Sequence, residues 1–231
     1  RWECPRPRDA GRARPLQMSL DSPVVLVHGM TASTDWWRPT ISALEPHHDV
    51  RIVELRGLPV REAARRLAEW LEREDLQGAA LVGHSMGGTV AVETAAEAPE
   101  SVGRLALIAP AGIFPSRSRT FYTLPLARST LMHAPRQLPR MVRDAARVGP
   151  FRLWHMSSDL LRGDITPALQ AVRAPALVIW GADDRLLPVS IAEEFHSLIP
   201  DCRLVVLPKC GHVPMLDCPD ALHEHLLGFL E

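Results

Sequence analysis

The sequence predicts an α/β fold: a mostly parallel open sheet of about six strands, helices on both faces, and a small helical lid inserted between two strands. Three observations lead there. Short β-branched apolar runs recur between segments of helical periodicity. Those runs are continuously apolar rather than alternating, as strands covered on both faces are. The alternation then breaks once, over residues 111–174, where no strand-like run occurs and short helix-like pieces are punctuated by Pro115, Pro125, Pro135, Pro139, Pro150 and Pro167. A stretch of that length is too long for an ordinary loop in a compact domain and reads as an insertion.

The elements follow in order. PVVLVHG (23–29) and VRIVEL (50–55) read as strands, with WWRPTISAL (36–44) as a helix between them. VREAARRLAEWLERE (60–74) places Val60, Ala63, Ala64, Leu67, Trp70 and Leu71 on one helical stripe, with arginines and glutamates opposite. AALVG (79–83) is a buried strand, and MGGTVAVETAAEA (86–98) is a helix that Pro99 stops. VGRLALIAP (102–110), PALVIWG (175–181) and CRLVVLP (202–208) are further strands, while SIAEEFHSL (190–198) and ALHEHLLGFL (221–230) are helices. Residues 1–17 lack any periodicity and read as a disordered arm before a domain over 18–231.

Composition bounds the class. The 231 residues are 46 % hydrophobic and 23 % charged, as in soluble globular chains. No apolar run approaches the ~20 residues that a membrane-spanning helix needs, and the arginine- and proline-rich start has no apolar core of a signal peptide. A cytoplasmic location is therefore expected. The net charge of −1 is unevenly spread: residues 1–17 carry five arginines against Glu3 and Asp9, and residues 110–174 carry ten against Asp144, Asp159 and Asp164. No nucleic-acid motif or interleaved basic and aromatic patch accompanies them. Cys4, Cys202, Cys210 and Cys218 form no CxxC pair and are read as free, partly buried thiols.

The chemistry begins at LVGHSMGGTV (81–90). Gly83-His84-Ser85-Met86-Gly87 is a G-x-S-x-G pattern where a strand passes into a helix, a context that presents a serine hydroxyl on a sharp turn. Such a hydroxyl needs a positioned base. Of ten histidines, His212 in KCGHVPMLDCP (209–219) follows the last strand in a loop bounded by glycine and proline, at the carboxyl edge where open α/β sheets place their sites. His47, His48, His133, His155, His196, His223 and His225 fall on helices or polar loops. An imidazole base needs an acid to fix its tautomer, and WGADDRLLP (180–188) ends a strand with two aspartates, Asp183 and Asp184. An oxyanion hole needs two N–H donors. Met86 opens a helix, and LVHGMTAS (26–33) turns at a strand end so that the Met30 amide can supply the second.

The order VHG, GHSMGG, WGxDDxxxP, GHVP resembles the α/β-hydrolase fold superfamily, over residues 24–231. The resemblance implies Ser85 as nucleophile, His212 as base, Asp184 as acid with Asp183 as the alternative, and the backbone amides of Met30 and Met86 as oxyanion donors. It implies no metal and no organic cofactor, and a lid at about 111–174. Two departures stand out. The hairpin that usually precedes the His-Gly strand is missing, and the family's D-x-x-G-x-G-x-S loop is reduced to ELRGLPV (54–60), which removes one wall near the site.

The activity implied is that of a serine hydrolase cleaving a carboxylic ester of a small or medium apolar acyl substrate through an acyl-enzyme. Thioesters of coenzyme A or a carrier protein, lactones and carbon–carbon bonds are the alternatives that use the same triad; a non-catalytic ligand-binding member of the fold comes last. The expected partner is a small-molecule acyl substrate. Met132, Met141, Met156, Trp154, Phe114, Phe121 and Tyr122 are candidates to line an apolar pocket under the lid, and the pair Trp36-Trp37 sits beside the oxyanion turn.

Overall fold

A computed structural model of the chain describes residues 23–31, 33–55, 57–114 and 138–231. The proposed arm, 1–17, lies outside them. β1 (Val24–Val27) leads through a 3₁₀ turn, Thr34–Trp37, into α1 (Arg38–Leu44), then β2 (Val50–Val53) and α2 (Val60–Arg73). β3 (Ala79–His84) and α3 (Met86–Glu97) precede β4 (Val102–Ile108). Among the described residues, α4 (Leu138–Val148), α5 (Pro150–Arg162) and α6 (Thr166–Ala171) then stand between β4 and β5 (Ala176–Gly181). α7 (Ser190–Leu198), β6 (Cys202–Leu207), the single turn α8 (Pro214–Asp217) and α9 (Pro219–Leu230) complete the order.

The six strands form one sheet in the order β2-β1-β3-β4-β5-β6, and every neighbouring pair is parallel. Alternation along each strand divides its side chains between two cores. Val25, Val27, Leu81, Leu105, Leu107, Val178 and Trp180 pack with α2, α3, α6 and α7 on one face. Val24, Leu26, Val82, Ile108 and Ile179 pack with Trp37, Leu44, Met215, Leu222 and Leu226 on the other. This is why β1 and β5 are apolar and buried at every position, while the edge strands β2 and β6 carry Arg51 and Arg203: a central parallel strand has no solvent face. On α2 the buried stripe is Val60, Ala63, Ala64, Leu67, Trp70 and Leu71, while Arg65 and Arg66 pair with Glu62, and Arg65 also with Glu69, on the outer face.

The inserted helices rest on the shortened loop after β2. A Cβ at Gly57 would stand 2.8 Å from Cδ of Arg152 on α5, and Asp159 Oδ2 accepts a 2.8 Å hydrogen bond from the Val60 amide at the start of α2. A carboxylate there also complements the positive end of α2. Side chains from the insertion thus lie against the turn that replaces the longer loop. Trp154 is 60 % exposed, and so does not line a pocket, whereas Met156 is buried and Phe114 packs at the edge of the first core. Met132, Phe121, Tyr122 and the Met141 side chain lie outside the described residues. No helix among the described residues is long and apolar enough to cross a membrane.

The cysteines correct the sequence reading. Cys210 and Cys218 form a disulfide, with Cα atoms 5.9 Å apart, while Cys202 is free; Cys4 lies outside the described residues. The turn α8 reverses the chain between β6 and α9, bringing together two thiols whose spacing matches no redox or zinc motif. Burial pushes the Cys202 thiol up to about 11, so it stays protonated.

For a sequence separation of 8, loop-closure entropy predicts a contribution of about 2–3 kcal/mol from this bridge. Reduction confirmed by thiol titration should lower the Tm by roughly 5–10 °C; an unchanged Tm in the fully reduced chain refutes that contribution.

Candidate active site

The site is built on the carboxyl ends of β1, β3, β5 and β6. At the end of β3 the chain turns sharply into α3. Ser85 occupies the corner with φ 53° and ψ −122°, a conformation that L-residues adopt only when their surroundings enforce it. Those surroundings are visible. The Ser85 amide donates to the Ile108 carbonyl at 3.0 Å, and the Ser85 carbonyl accepts from the amides of Gly88 (2.9 Å) and Ala111 (3.1 Å). A Cβ at Gly87 would meet the His28 carbonyl at 2.6 Å, and one at Gly83 would meet the Gly88 Cα at 2.7 Å. The glycines are what allow α3 to start directly against β1 and β3.

The side chains named from sequence meet here. His212 Nε2 lies 3.1 Å from Ser85 Oγ, and His212 Nδ1 lies 2.7 Å from Asp184 Oδ2. Asp184 Oδ1 accepts from the amides of Leu186 (2.8 Å) and Leu187 (2.9 Å). With one oxygen taken by two backbone donors and its side chain fully buried, this carboxylate is fixed in orientation. The reserve acid, Asp183, is exposed, and its amide donates to the Cys210 carbonyl at 2.9 Å. Of the adjacent pair, only Asp184 meets His212.

The loops that carry Asp184 and His212 hold each other. A Cβ at Gly181 would overlap the backbone of Cys210 and Gly211, so glycine lets the end of β5 lie against the strand that delivers His212. Trp180 Nε1 donates to the Leu187 carbonyl at 2.9 Å, closing the Asp184 turn. The disulfide ties the two ends of the segment that carries His212.

Two further histidines support the site. His84 Nε2 donates to the His212 carbonyl at 2.9 Å, which leaves Nδ1 as an unprotonated atom; that atom is buried and without a hydrogen-bond partner. Burial above all, with the neighbouring His212 next, drops the His84 pKa to about 3, so the ring is neutral and braces the His212 backbone. His28 Nδ1 donates to the Gly29 carbonyl at 2.8 Å and its Nε2 accepts from the Leu55 amide at 3.3 Å, joining the ends of β1 and β2. Its place before Gly29 is thus structural.

The Met30 turn lies beside Ser85: a Cβ on the preceding residue, Gly29, would stand 3.3 Å from Ser85 Cβ. Met86 is the first residue of α3, where helix amides lack intrahelical acceptors. Of the tryptophan pair, Trp37 is fully buried in the second core, and Trp36 is buried with its indole nitrogen 3.1 Å from Asp144 Oδ2. Among the described residues, no group of three or more His, Cys, Asp or Glu side chains is placed to hold a metal ion.

The depressed His84 pKa fixes a sign. Between about pH 3 and 6.5 the unfolded chain binds a proton here that the folded chain does not, so stability falls as pH drops through that window. Urea unfolding of the wild type and of His84→Gln between about pH 6.5 and 4.5, above most carboxylate titration, should show the wild type losing more stability, by up to about 1.4 kcal/mol per pH unit. Parallel curves would show that His84 titrates normally.

The chain is similar to known proteins over most of its length. The chain is 26 % identical to an uncharacterized hydrolase, YugF, of Bacillus subtilis (strain 168), covering 90 % of this chain and 89 % of that one. It is 28 % identical to the 2-hydroxy-6-oxo-6-phenylhexa-2,4-dienoate hydrolase of Burkholderia cepacia, over 77 % of this chain and 70 % of the relative. A thermophilic esterase from Thermogutta terrifontis superposes with a TM-score of 0.77 at 23 % identity, covering 90 % of this chain and 89 % of that one. The model of the alpha/beta hydrolase family matches residues 24–225; with a six-stranded parallel sheet and a serine at its β3–α3 turn, the chain belongs to the alpha/beta hydrolase family.

Proposed function

We propose that the chain is a serine hydrolase that cleaves carboxylic esters of small or medium apolar acyl groups. The observation that carries this reading is the unbroken hydrogen-bonded line Ser85–His212–Asp184, at 3.1 and 2.7 Å, ending on a serine at a strained turn. Ser85 Oγ attacks the ester carbonyl while His212 Nε2 takes its proton. Asp184 holds the Nδ1–H tautomer and stabilises the imidazolium that forms. The tetrahedral oxyanion is held by the amides of Met30 and Met86, each such donor contributing about 3 kcal/mol in comparable sites. Collapse expels the alcohol, protonated by His212, and leaves Ser85 acylated. Water, deprotonated by His212, then attacks the acyl carbon and releases the acid and free Ser85.

Two features support an apolar, uncharged substrate. Met30, Ile113, Phe114 and Leu186, which follow the carboxyl ends of β1, β4 and β5, are partly buried apolar residues packed against the first core. Arg143 and Arg147 of the insertion share Asp144, and Arg173 faces Glu100, which offsets part of the positive charge that could steer an anionic thioester. The inserted helices act in this reading as a lid over the acyl site. The 28 % identity to a dienoate hydrolase favours a carbon–carbon bond as the second reading, by the same triad.

Fluorophosphonate labelling with peptide mapping should place the adduct on Ser85, and Ser85→Ala should lose both labelling and at least about 10³-fold in kcat. An S85A chain with full esterase activity overturns the mechanism. Asp184→Asn should lower kcat by about 10³–10⁴-fold, and Asp183→Asn should stay within about threefold because its side chain is exposed and outside the line. Equal losses at the two positions would count against Asp184 as the acid. In a panel of p-nitrophenyl esters, acyl thioesters and a vinylogous dienoate, neutral esters should give the highest kcat/KM, nearly independent of ionic strength; a dienoate preference selects the second reading.

A further inference from the structure

Asp144 is the most unusual buried charge outside the catalytic line. It lies on α4, within the insertion, yet is only 3 % exposed. Its Oδ2 accepts from the Ser33 hydroxyl at 2.8 Å and from the Trp36 indole nitrogen at 3.1 Å. Its Oδ1 faces Arg143 Nε at 3.1 Å and Arg147 at 3.5 Å. Arg143 also reaches Asp35 at 3.4 Å. Burial alone would raise this carboxyl, but the hydrogen bonds from Ser33, Arg143 and Trp36 outweigh it and hold the group below its usual range. A buried carboxylate with donors on both oxygens is costly to assemble and strongly destabilising to break. It therefore fixes whatever it touches.

What it touches is the turn that follows β1. Ser33 and Trp36 lie three and six residues beyond Met30, and the other side of that turn is Gly29, packed against Ser85. The turn is thus held between the nucleophile on one side and the insertion on the other. We propose that Asp144 is a positioning residue for the oxyanion hole: by gripping Ser33 and Trp36 from α4, it sets where the Met30 amide stands, and it couples the placement of the inserted helices to the competence of the site. This rests on the hydrolase reading above. It assigns Asp144 no contact with substrate. An amide displaced by an ångström loses most of its preference for the transition state over the bound ester, so the effect falls on kcat rather than on KM.

The test compares Asp144→Ala, Asp144→Asn, Ser33→Ala and Arg147→Ala, with active sites counted by fluorophosphonate titration so that unfolded chains do not enter the rates. Asp144→Ala should lower kcat per titrated site by about 10- to 100-fold with KM changed less than about threefold. The pH midpoint of kcat/KM should not move, because the His212–Asp184 pair is untouched. Asp144→Asn, which keeps a carbonyl oxygen for Ser33 and Trp36, should recover to within about fivefold of wild type, and Ser33→Ala should fall between the two. Arg147→Ala should stay within about twofold, since it touches only the other oxygen. Amide hydrogen exchange over residues 28–37 should quicken in Asp144→Ala while β4 and β5 stay protected. A kcat per site within twofold of wild type in Asp144→Ala, or unchanged exchange over 28–37, overturns the proposal. If Asp144→Ala does not fold, Ser33→Ala and Asp144→Asn decide it on the same two readouts. If the wild type takes no fluorophosphonate on Ser85, the hydrolase reading fails and the catalytic role of Asp144 with it, while the exchange data still decide whether Asp144 holds the turn.

Discussion

The contact between the first turn of α3 and the end of β1 is the constraint on which the rest of the site depends. Gly87 sits against the Val27 and His28 carbonyls so closely that no Cβ fits. That approach brings the helix start up to the sheet edge and forces Ser85 into its left-handed corner. Hydrogen bonds from the Ser85 backbone to Ile108, Gly88 and Ala111 hold the corner. The local strain is small against the two cores that flank the sheet, each fixing alternate residues of the same strands. A stable parallel sheet thus supports one residue in an unfavourable conformation at its carboxyl edge.

Around that corner the other parts are fixed mainly by backbone contacts. Gly181 against Gly211, the His84 ring on the His212 carbonyl and the Trp180 indole on Leu187 align Asp184 and His212 from separate strands without using their side-chain atoms. Asp184 spends one carboxylate oxygen on two amides and reserves the other for His212. Preorganisation of this kind fixes the hydrogen-bonded line through contacts of the chain's own backbone.

Much of this was legible in the sequence because parallel strands and their helices obey short-range rules. The predicted strands agree with the observed ones to within about two residues, and the α2 stripe matches residue for residue. Ser85, His212 and Asp184 could be named because each stands at a strand end in a recognisable order. What stayed hidden depends on contacts between distant segments. Asp144 is 111 residues from Ser33 in sequence, and no local pattern links an aspartate on an amphipathic helix to a serine after β1. The disulfide escaped for a different reason: its formation depends on the turn α8 reversing direction, which the thiol spacing does not reveal. Between Asp183 and Asp184 the residues alone leave the choice open and only the resemblance favours Asp184; in the structure Asp184 is buried against His212 while Asp183 is exposed.

The Cys210–Cys218 bridge has one more consequence, on the unfolded side. While it remains oxidised, His212 lies inside a small covalent ring even when every other contact is lost. The denatured chain then carries His212 on a covalently closed loop, with fewer conformations to search before β6 and α9 dock. Ser85 and Asp184 have no such tether and must reach His212 across 127 and 28 residues. Contacts of that range set the pace for parallel sheets. In refolding, the histidine loop is the part of the active site whose local geometry need not wait for the sheet.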